Sequence, residues 1–293
     1  MKIKRTIGSI AVACLASAAV ITSCCFLPND EGEKLDLSGM SLVWEDNFST
    51  LDTATWTHEV WAAGKVNNEK QQYIKGNTQI VDDDGALDGK ALRITATNSS
   101  GSWKSARIKT ENATGDKSWT YGYIEARIKL PLAYDSAGNL VSNNGVWPAF
   151  WLMPHDPNGK NGDGAYGTWP ASGEIDILEY SPSTSQDKCY STVHYGADNA
   201  SHKYTSIGAD YFKADGKYHT FGIKWNKDSL EPYYDGKSIG GIYFNKGEGY
   251  ETWPFDKPFY IILNLAMGGN LGGSINSEMA KAEYDIDYVR VYQ

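Results

Sequence analysis

Residues 284–292 read YDIDYVRVY, a stretch in which apolar and polar side chains alternate along the chain. Residues 123–130, YIEARIKL, show the same alternation. A period of two is typical of a strand that turns one face to a core and the other to solvent. Shorter runs of strand-like composition, each bounded by turn residues, add to these two. The predicted strands are Leu42–Trp44, Ala91–Thr97, Gly122–Leu130, His219–Trp225, Phe259–Leu265 and Tyr284–Tyr292.

The composition favours the same interpretation. The chain has 293 residues with 30 glycines, 19 tyrosines and 10 tryptophans, which suit twisted antiparallel sheets better than helices. No twelve-residue window shows a clear 3.6-residue period, so we predict an all-β fold of two packed antiparallel sheets. Residues 40–293 contain no repeat and no linker, which indicates one domain. Two polar stretches, Ala133–Gly145 and His155–Gly167, are predicted to be loops that flank an acidic segment at 174–179.

The N-terminus has the pattern of a secretion signal. Three basic residues precede an apolar run at 7–21, which is too short to span a bilayer. The run ends in ITSC at 21–24, which resembles a bacterial lipobox and predicts cleavage before Cys24 and lipidation of that residue. The alternative is ordinary secretion with a free Cys24. Residues 1–23 are then a signal peptide, 24–39 an anchor with an acidic tether, and 40–293 the folded domain. We expect a monomer, lipid-anchored at the cell envelope on the outward face of the outer membrane.

Charge and cysteine content exclude several classes of protein. Loss of residues 1–23 removes three positive charges, so the formal net charge falls from −9 to −12. An acidic surface opposes binding to nucleic acid or anionic lipid and favours a neutral substrate. Cys189 has no evident partner once the N-terminal cysteines are set aside, so no disulfide framework is expected.

The acidic segment reads EIDILE at 174–179. In a regular strand Glu174 and Asp176 share one face, whereas Glu179 would point to the apolar side, at a cost of several kcal/mol if its charge were unpaired there. A one-residue bulge near Ile177-Leu178 would return Glu179 to the acidic face. The alternative is a solvated strand face with surface ion pairs, but no Lys or Arg lies between Asp163 and Lys188.

Three carboxylates on one face have a chemical use. Side chains leaning inward can bring Glu174 and Glu179 to the ~5–5.5 Å separation of a retaining glycosidase, whereas an inverting mechanism needs a wider gap. Because crowded carboxylates cannot all ionise cheaply, at least one pKa should rise, as a general acid requires.

Aromatic residues surround this segment in the sequence. Flat rings stack on sugars, and Trp169, five residues before Glu174, is the best stacking candidate; Trp147 and Trp151 share a face in an extended run. For each tryptophan the alternative is a core ring. His194 is predicted to lie on the adjacent strand beside the acids, with a purely structural role as the alternative. The histidines show no metal-ligand spacing, and neither a phosphate-binding loop nor a Ser-His-Asp order is present.

The segment 174–179 resembles the bulged E-[IL]-D-x-x-E signature of glycoside hydrolase family 16. Further family landmarks occur in order over about residues 40–293, at Ser105–Arg107, Tyr121–Arg127, Val146–Trp151, Trp169-Pro170, Asn264–Asn270 and Asp287–Tyr292. The resemblance implies a β-jelly-roll sandwich with a glycan cleft across its concave sheet. It implies Glu174 as nucleophile, Glu179 as general acid/base and Asp176 as modulator of the nucleophile.

The most similar subgroup is laminarinase-like and cleaves β-1,3-glucans and often mixed-linkage β-1,3-1,4-glucans. The resemblance implies that the residues facing the glycan are Asn68, Arg107, Trp147, Trp151, Trp169 and His194. It implies no cofactor for catalysis, but a possible structural Ca²⁺ on the convex side, held by the Asp287 side chain and by backbone carbonyls near Glu45 and Gly89. This chain departs from the subgroup at Ser172, at Leu271 and in the long 133–145 segment, all expected near the cleft.

Two alternatives stay open from the sequence. One is an agarase- or carrageenase-like endo-galactanase of the same family, although the loops 131–173 hold only Lys160 to bind sulfate. The other is a non-catalytic surface glycan-binding protein, although all three carboxylates are present.

Overall fold

The fold is described from a computed structural model, which describes residues 32–111, 117–155, 168–182, 188–209, 212–243 and 253–293. Strands dominate these ranges, as predicted. The strands are β1 (Leu42–Asp46), β2 (Thr57–His58), β3 (Gln71–Tyr73), β4 (Thr78–Asp82), β5 (Lys90–Ser99), β6 (Ser102–Ser105), β7 (Arg107–Lys109), β8 (Ser118–Trp119), β9 (Gly122–Tyr134), β10 (Leu140–Val141), β11 (Val146–Pro154), β12 (Glu174–Ser181), β13 (Lys188–Tyr195), β14 (Lys203–Ala209), β15 (Tyr218–Trp225), β16 (Ser229–Tyr234), β17 (Lys237–Ser238), β18 (Ile242–Tyr243), β19 (Phe259–Met267) and β20 (Lys281–Tyr292). Helical segments are short: α1 (Gly269–Gly272) and the 3₁₀ turns Lys75–Asn77 and Asn199–Ser201.

The strands form two sheets, which confirms the predicted sandwich. The outer sheet has the order β17-β16-β15-β9-β20-β5-β6-β3, with β1, β4, β10 and β18 attached to its members. The second sheet, called the cleft sheet here, has the order β14-β13-β12-β11-β19-β7-β2, with β8 attached to β19. Within the described ranges the pairing is antiparallel except between β3 and β6. No helix in the described part of the chain is long and apolar enough to cross a membrane.

The outer sheet is centred on the two alternating stretches that predicted it. Strand β20 lies between β9 and β5, and its apolar positions Ile286, Val289 and Val291 are fully buried against the cleft sheet. Burial of such side chains contributes about 1.5–3 kcal/mol each. The polar face differs from the prediction, because Asp285 and Asp287 are also buried. Basic side chains from β5 and β9 cover them, which offsets the cost of burying carboxylates.

The segment predicted as a loop at 133–145 is a hairpin. Strand β9 continues to Tyr134 and pairs with β10, since Tyr134 lies opposite Leu140. The Asp135 side chain closes the turn by accepting the backbone N–H groups of Ala137 and Asn139 at 2.8 and 2.9 Å. In the other predicted loop, residues 156–167 lie outside the described residues.

The last part of the predicted tether lies against the domain. The backbone N–H of Leu35 donates to Gly236 at 2.8 Å, and Ser238 donates to Glu33 at 2.8 Å. Residues 33–35 therefore extend the edge of the outer sheet beside β17. Cys24 and the signal segment lie outside the described residues.

Candidate active site

The acidic strand β12 carries the predicted bulge. On one side Asp176 lies opposite Trp151 and Leu178 opposite Phe150, which leaves Ile177 as the extra residue. On the other side a single residue of β13 separates the partners of Asp176 and Glu179. The bulge places all three carboxylates on the open face of the cleft sheet. Ile175, Ile177 and Leu178 are fully buried in the core between the sheets.

This face forms the floor of a cleft with a volume of about 740 Å³. Glu174, Asp176 and Glu179 lie in it, and aromatic rings line it from both sides. These rings belong to Trp61, Trp147, Trp151, Trp169, His202 and Tyr204. The predicted residues Arg107 and His194 line the cleft as well.

Each of the two glutamates accepts a hydrogen bond from a tryptophan. Trp169 Nε1 donates to Glu174 Oε2 at 2.7 Å, and Trp147 Nε1 donates to Glu179 Oε1 at 2.9 Å. An indole nitrogen is a donor only, so one oxygen of each carboxyl group accepts a hydrogen bond from a fixed ring. Two of the three tryptophans singled out by the sequence, Trp147 and Trp169, thus orient the acids as well as lining the cleft.

A second set of contacts supports the floor. Trp151 Nε1 donates to Asn264 Oδ1 at 2.7 Å. The guanidinium of Arg107 lies 4.3 Å from the ring centre of Trp61 and 4.6 Å from that of Trp151. Arg107 also forms a buried ion pair with Glu59, which balances its charge. This cation therefore stiffens the aromatic wall.

Asn68 is placed differently from its sequence neighbours. Asn67 and Glu69 line the cleft, whereas Asn68 is exposed, does not line it, and donates from Nδ2 to Asn270 Oδ1 at 2.8 Å. The backbone of Asn270 also donates to Asn67 O at 2.9 Å. Asn68 therefore ties the loop at 67–69 to α1, which shapes the cleft rim.

His194 lies where the sequence predicted, directly opposite Glu174 on β13. Its Nε2 is 3.3 Å from Asp176 Oδ2, and its Nδ1 is 2.9 Å from His202 Nε2. Sequence reasoning missed His202, Tyr204 and Trp61. A hairpin between β13 and β14 could have indicated His202 and Tyr204, because it brings both residues back to His194. Trp61 lies on an irregular segment with no local pattern.

Burial raises the pKa of all three carboxyl groups, and neighbouring charge adds to the effect at Glu174 and Asp176. Burial, followed by the charge of Asp176, raises the pKa of Glu174 to about 8, opposed by His194 and by the Trp169 hydrogen bond. Burial and the charge of Glu179 raise the pKa of Asp176 well above its usual range. Burial also raises the pKa of Glu179, while the Trp147 hydrogen bond lowers it. The cluster therefore retains protons near neutral pH, as general acid catalysis requires.

A family profile, Glycosyl hydrolases family 16, matches residues 67–290, which include the bulged strand and the tryptophans Trp147, Trp151 and Trp169 of the cleft. The chain belongs to glycosyl hydrolase family 16. It is 32% identical over 88% of its length to "Glucan endo-1,3-beta-glucosidase A1" of Niallia circulans, and 30% identical over 94% of its length to "Beta-glucanase" of Rhodothermus marinus. It resembles the crystal structure of laminarinase from Flavobacterium sp. UMI-01 with a TM-score of 0.68, at 32% identity over 86% of this chain and 100% of that chain.

The share of each relative that is covered differs. The chain spans 38% of the Niallia circulans protein and 92% of the Rhodothermus marinus protein. Residues 67–290, which match the family profile, contain all three carboxylates and their tryptophan donors.

The calcium site expected from family 16 does not fit the side chains around Asp287. The Asp287 carboxylate pairs with Arg127 and accepts the backbone N–H of Leu87 at 3.1 and 3.2 Å. Gly89 O accepts the N–H of Asp83 at 3.1 Å, and the Glu45 carboxylate pairs with Arg290 at 2.7 Å. A guanidinium at Asp287 repels a second cation and competes for the same oxygen. A calcium ion on Asp287 therefore does not fit the side chains in this arrangement, and the expected site stays a prediction.

The three departures from the laminarinase-like subgroup lie at different distances from the family 16 cleft. Leu271 lines it. Ser172 is fully buried, and neither it nor the 133–145 hairpin lines the cleft. Leu271 is therefore the departure that lines the cleft directly, whereas Ser172 lies two residues before Glu174 and Gly145, at the end of the 133–145 segment, accepts the backbone N–H of Gly268 at 2.7 Å.

Proposed function

We propose that this family 16 chain hydrolyses β-glucan internally with retention of configuration, acting on β-1,3-glucan and on mixed-linkage β-1,3-1,4-glucan. One observation carries the proposal: two glutamates share one face of a bulged strand in an open cleft, each with a tryptophan N–H on one carboxyl oxygen. A pair of carboxyl groups flanking one bond is the requirement for glycoside hydrolysis.

In the mechanism one glutamate supplies a proton and the other acts as the nucleophile. Glu179, with its raised pKa, protonates the glycosidic oxygen as the Glu174 carboxylate attacks the anomeric carbon and forms a glycosyl ester. The Glu179 carboxylate then removes a proton from the water that hydrolyses this ester. Glu174 must be ionised to attack. An Asp176 that retains its proton carries no negative charge. That charge is, after burial, the second cause of the raised pKa of Glu174, so its absence lowers the pKa of Glu174 and permits ionisation. These steps use carboxyl groups alone and need no cofactor.

The cleft supports a neutral substrate. Its walls are largely aromatic, and Arg107, the one Lys or Arg among the lining residues of the described ranges, is neutralised by Glu59. The chain is acidic overall, with a net charge of −9. A sulfated galactan would need unbalanced cations to bind its sulfate groups, so this arrangement favours glucan over an agarase- or carrageenase-like substrate. An open cleft admits internal chain segments, which supports endo action on a polysaccharide.

Product analysis on a panel of glycans tests the proposal. We expect oligosaccharides from laminarin, lichenan and cereal β-glucan, and none from cellulose, because the proposed specificity requires a β-1,3-linked glucose on the non-reducing side of the cleaved bond. Proton NMR of the first products should show the β-anomer before mutarotation. Cleavage of agarose or carrageenan with β-glucans untouched would move the enzyme to the galactan branch. Binding of laminarin without cleavage would indicate a glycan-binding protein.

The location of the enzyme is a separate proposal. We propose that residues 1–23 direct secretion, that Cys24 carries the lipid anchor and that the catalytic domain lies at the outer surface of the cell envelope as a monomer. The proposal is supported by the basic N-terminus, the short apolar run and the ITSC motif. An extracellular polysaccharide substrate is consistent with that location.

A further inference from the structure

Two histidines, His194 and His202, extend from the acidic cluster through successive close contacts between polar atoms. His194 Nε2 lies 3.3 Å from Asp176 Oδ2, and His194 Nδ1 lies 2.9 Å from His202 Nε2. The two imidazole planes are only 18° apart, with ring centres separated by 5.2 Å, so the nitrogens of the two rings meet nearly in plane. Each ring nitrogen of His194 therefore has one polar neighbour, a carboxyl oxygen on one side and a second imidazole on the other.

The position of His202 is built into the turn between β13 and β14. Asp198 Oδ1 accepts the backbone N–H of Ser201 and its hydroxyl, both at 2.8 Å. Gly196 has a φ of +124°, and a Cβ there would lie 2.4 Å from Ser201 O, so the close approach requires glycine. Trp169 packs against the other side, with its ring centre 4.7 Å from that of His202. The turn thus presents His202 to His194 in a defined place.

Hydrogen-bond accounting orders the protons along this line. A neutral imidazole carries one donor and one acceptor nitrogen. Asp176 Oδ2 is buried and accepts no hydrogen bond elsewhere in the described part of the chain. A proton of His194 on Nε2 supplies a donor 3.3 Å from this oxygen, and catalytic hydrogen bonds of this length tighten when substrate binds. His194 Nδ1 is then an acceptor, so His202 Nε2 must be the donor to it.

The same line of contacts leads to the proposed nucleophile. One carboxyl oxygen of Glu174, one of Asp176 and one ring nitrogen of His194 all lie within 4.8 Å of one another. Burial, followed by the charge of Asp176, raises the pKa of Glu174, so a proton that His194 directs at Asp176 acts on the nucleophile through Asp176. Burial and the neighbouring His194 lower the pKa of His202, which favours its neutral form. The line then runs from His202 through His194 and Asp176 to Glu174, with both imidazoles donating in one direction.

We propose that His202 is a positioning residue for hydrolysis, which by donating to His194 Nδ1 keeps the His194 proton on Nε2, directed at Asp176. The proposal rests on the proposed function of the acidic cluster. The titratable and charged groups that line the cleft together with His194 are Glu174, Asp176 and Glu179 from β12, Tyr190 from its own strand β13, Tyr204 from β14, His202 from the turn, and Glu69 and Arg107. Of these, the His202 nitrogen is the group that bonds to Nδ1.

Two substitutions of His202 distinguish the effect of its N–H donor from the effect of its flat ring. His202→Gln keeps an N–H at the end of the side chain, and His202→Phe keeps a flat ring without a donor. We expect His202→Phe to lower kcat on laminarin about 10- to 100-fold, the scale of one lost hydrogen bond to a charged group, with little change in KM and with the acidic limb of the pH profile moved to higher pH. His202→Gln should retain kcat within about threefold. His219→Gln, in the outer sheet, is the matched histidine control.

Nitrogen NMR of the imidazoles gives a readout that does not depend on activity. In the wild type and in His202→Gln, His194 should carry its proton on Nε2 alone, and in His202→Phe it should show a mixture of both tautomers. Unchanged kcat and an unchanged His194 tautomer in His202→Phe would overturn the proposal. Equal losses in both variants with raised KM would overturn it too, since they would make His202 a substrate contact. A wild type that cleaves no β-glucan would refute the proposed function, while the tautomer measurement would still decide the hydrogen-bond order.

Discussion

Trp169→Phe is the substitution that tests the tryptophan–glutamate pairing most directly. It keeps an aromatic ring in the cleft wall and removes one N–H, the donor that lies 2.7 Å from Glu174 Oε2. Loss of one hydrogen bond to a charged group costs about 1.5–3 kcal/mol. Since this hydrogen bond lowers the pKa of Glu174, its loss should raise that pKa by about one to two units.

The sign of the pH effect follows from the role of Glu174. Because a nucleophilic carboxylate acts only when ionised, a higher pKa of Glu174 lowers activity first at acidic pH. We expect the acidic limb of kcat/KM on laminarin to move up by about one to two pH units, and kcat/KM at mildly acidic pH to fall about 10- to 100-fold. Trp169→Ala should lose a further stacking surface and so raise KM more than Trp169→Phe does.

Trp147→Phe is the matched control, because it removes the N–H that lowers the pKa of Glu179. Glu179 acts first as an acid, so its higher pKa should extend activity to higher pH and move the alkaline limb instead. The reasoning is refuted if Trp169→Phe stays within twofold of the wild type at every pH, or if both substitutions move the same limb. A full pH series of initial rates for the three proteins decides between these results.

Three further predictions follow from other parts of the chain. Azide should rescue Glu174→Ala with an inverted glycosyl azide and Glu179→Ala with a retained one, as product NMR would reveal; the opposite pattern would exchange the two roles. Cys24→Ala should release the protein from the membrane fraction, and absence of palmitate label on the wild type in a bacterial host would disprove the anchor. Arg127→Met should lower the free energy of unfolding by about 3–5 kcal/mol, because it leaves the buried Asp287 carboxylate without its cationic partner. EDTA should leave the melting temperature of the wild type unchanged. A lower melting temperature in EDTA would support a calcium site at Asp287.

The sequence alone was sufficient for the six predicted strands and for the acidic face. Alternation at 123–130 and 284–292 placed β9 and β20, because a period of two leaves no other regular structure in which the apolar residues share a face. The bulge at Ile177-Leu178 followed from an energetic argument, since a regular strand would have buried the charge of Glu179 among core residues. Both inferences depend on neighbours within a few residues, where local geometry is decisive.

The tertiary structure decided which distant residues meet. Asn68 is hydrogen-bonded to Asn270, 202 positions away in the chain, and Asp287 forms an ion pair with Arg127 of a neighbouring strand. The polar face of β20 is buried for the same reason, and the long 133–145 segment became a hairpin on the outer sheet. His202 reaches His194 only because a turn of defined shape reverses the chain between them. Such contacts are set by strand order and register, which depend on the summed packing of the whole sandwich, so no local pattern of residue types could have specified them.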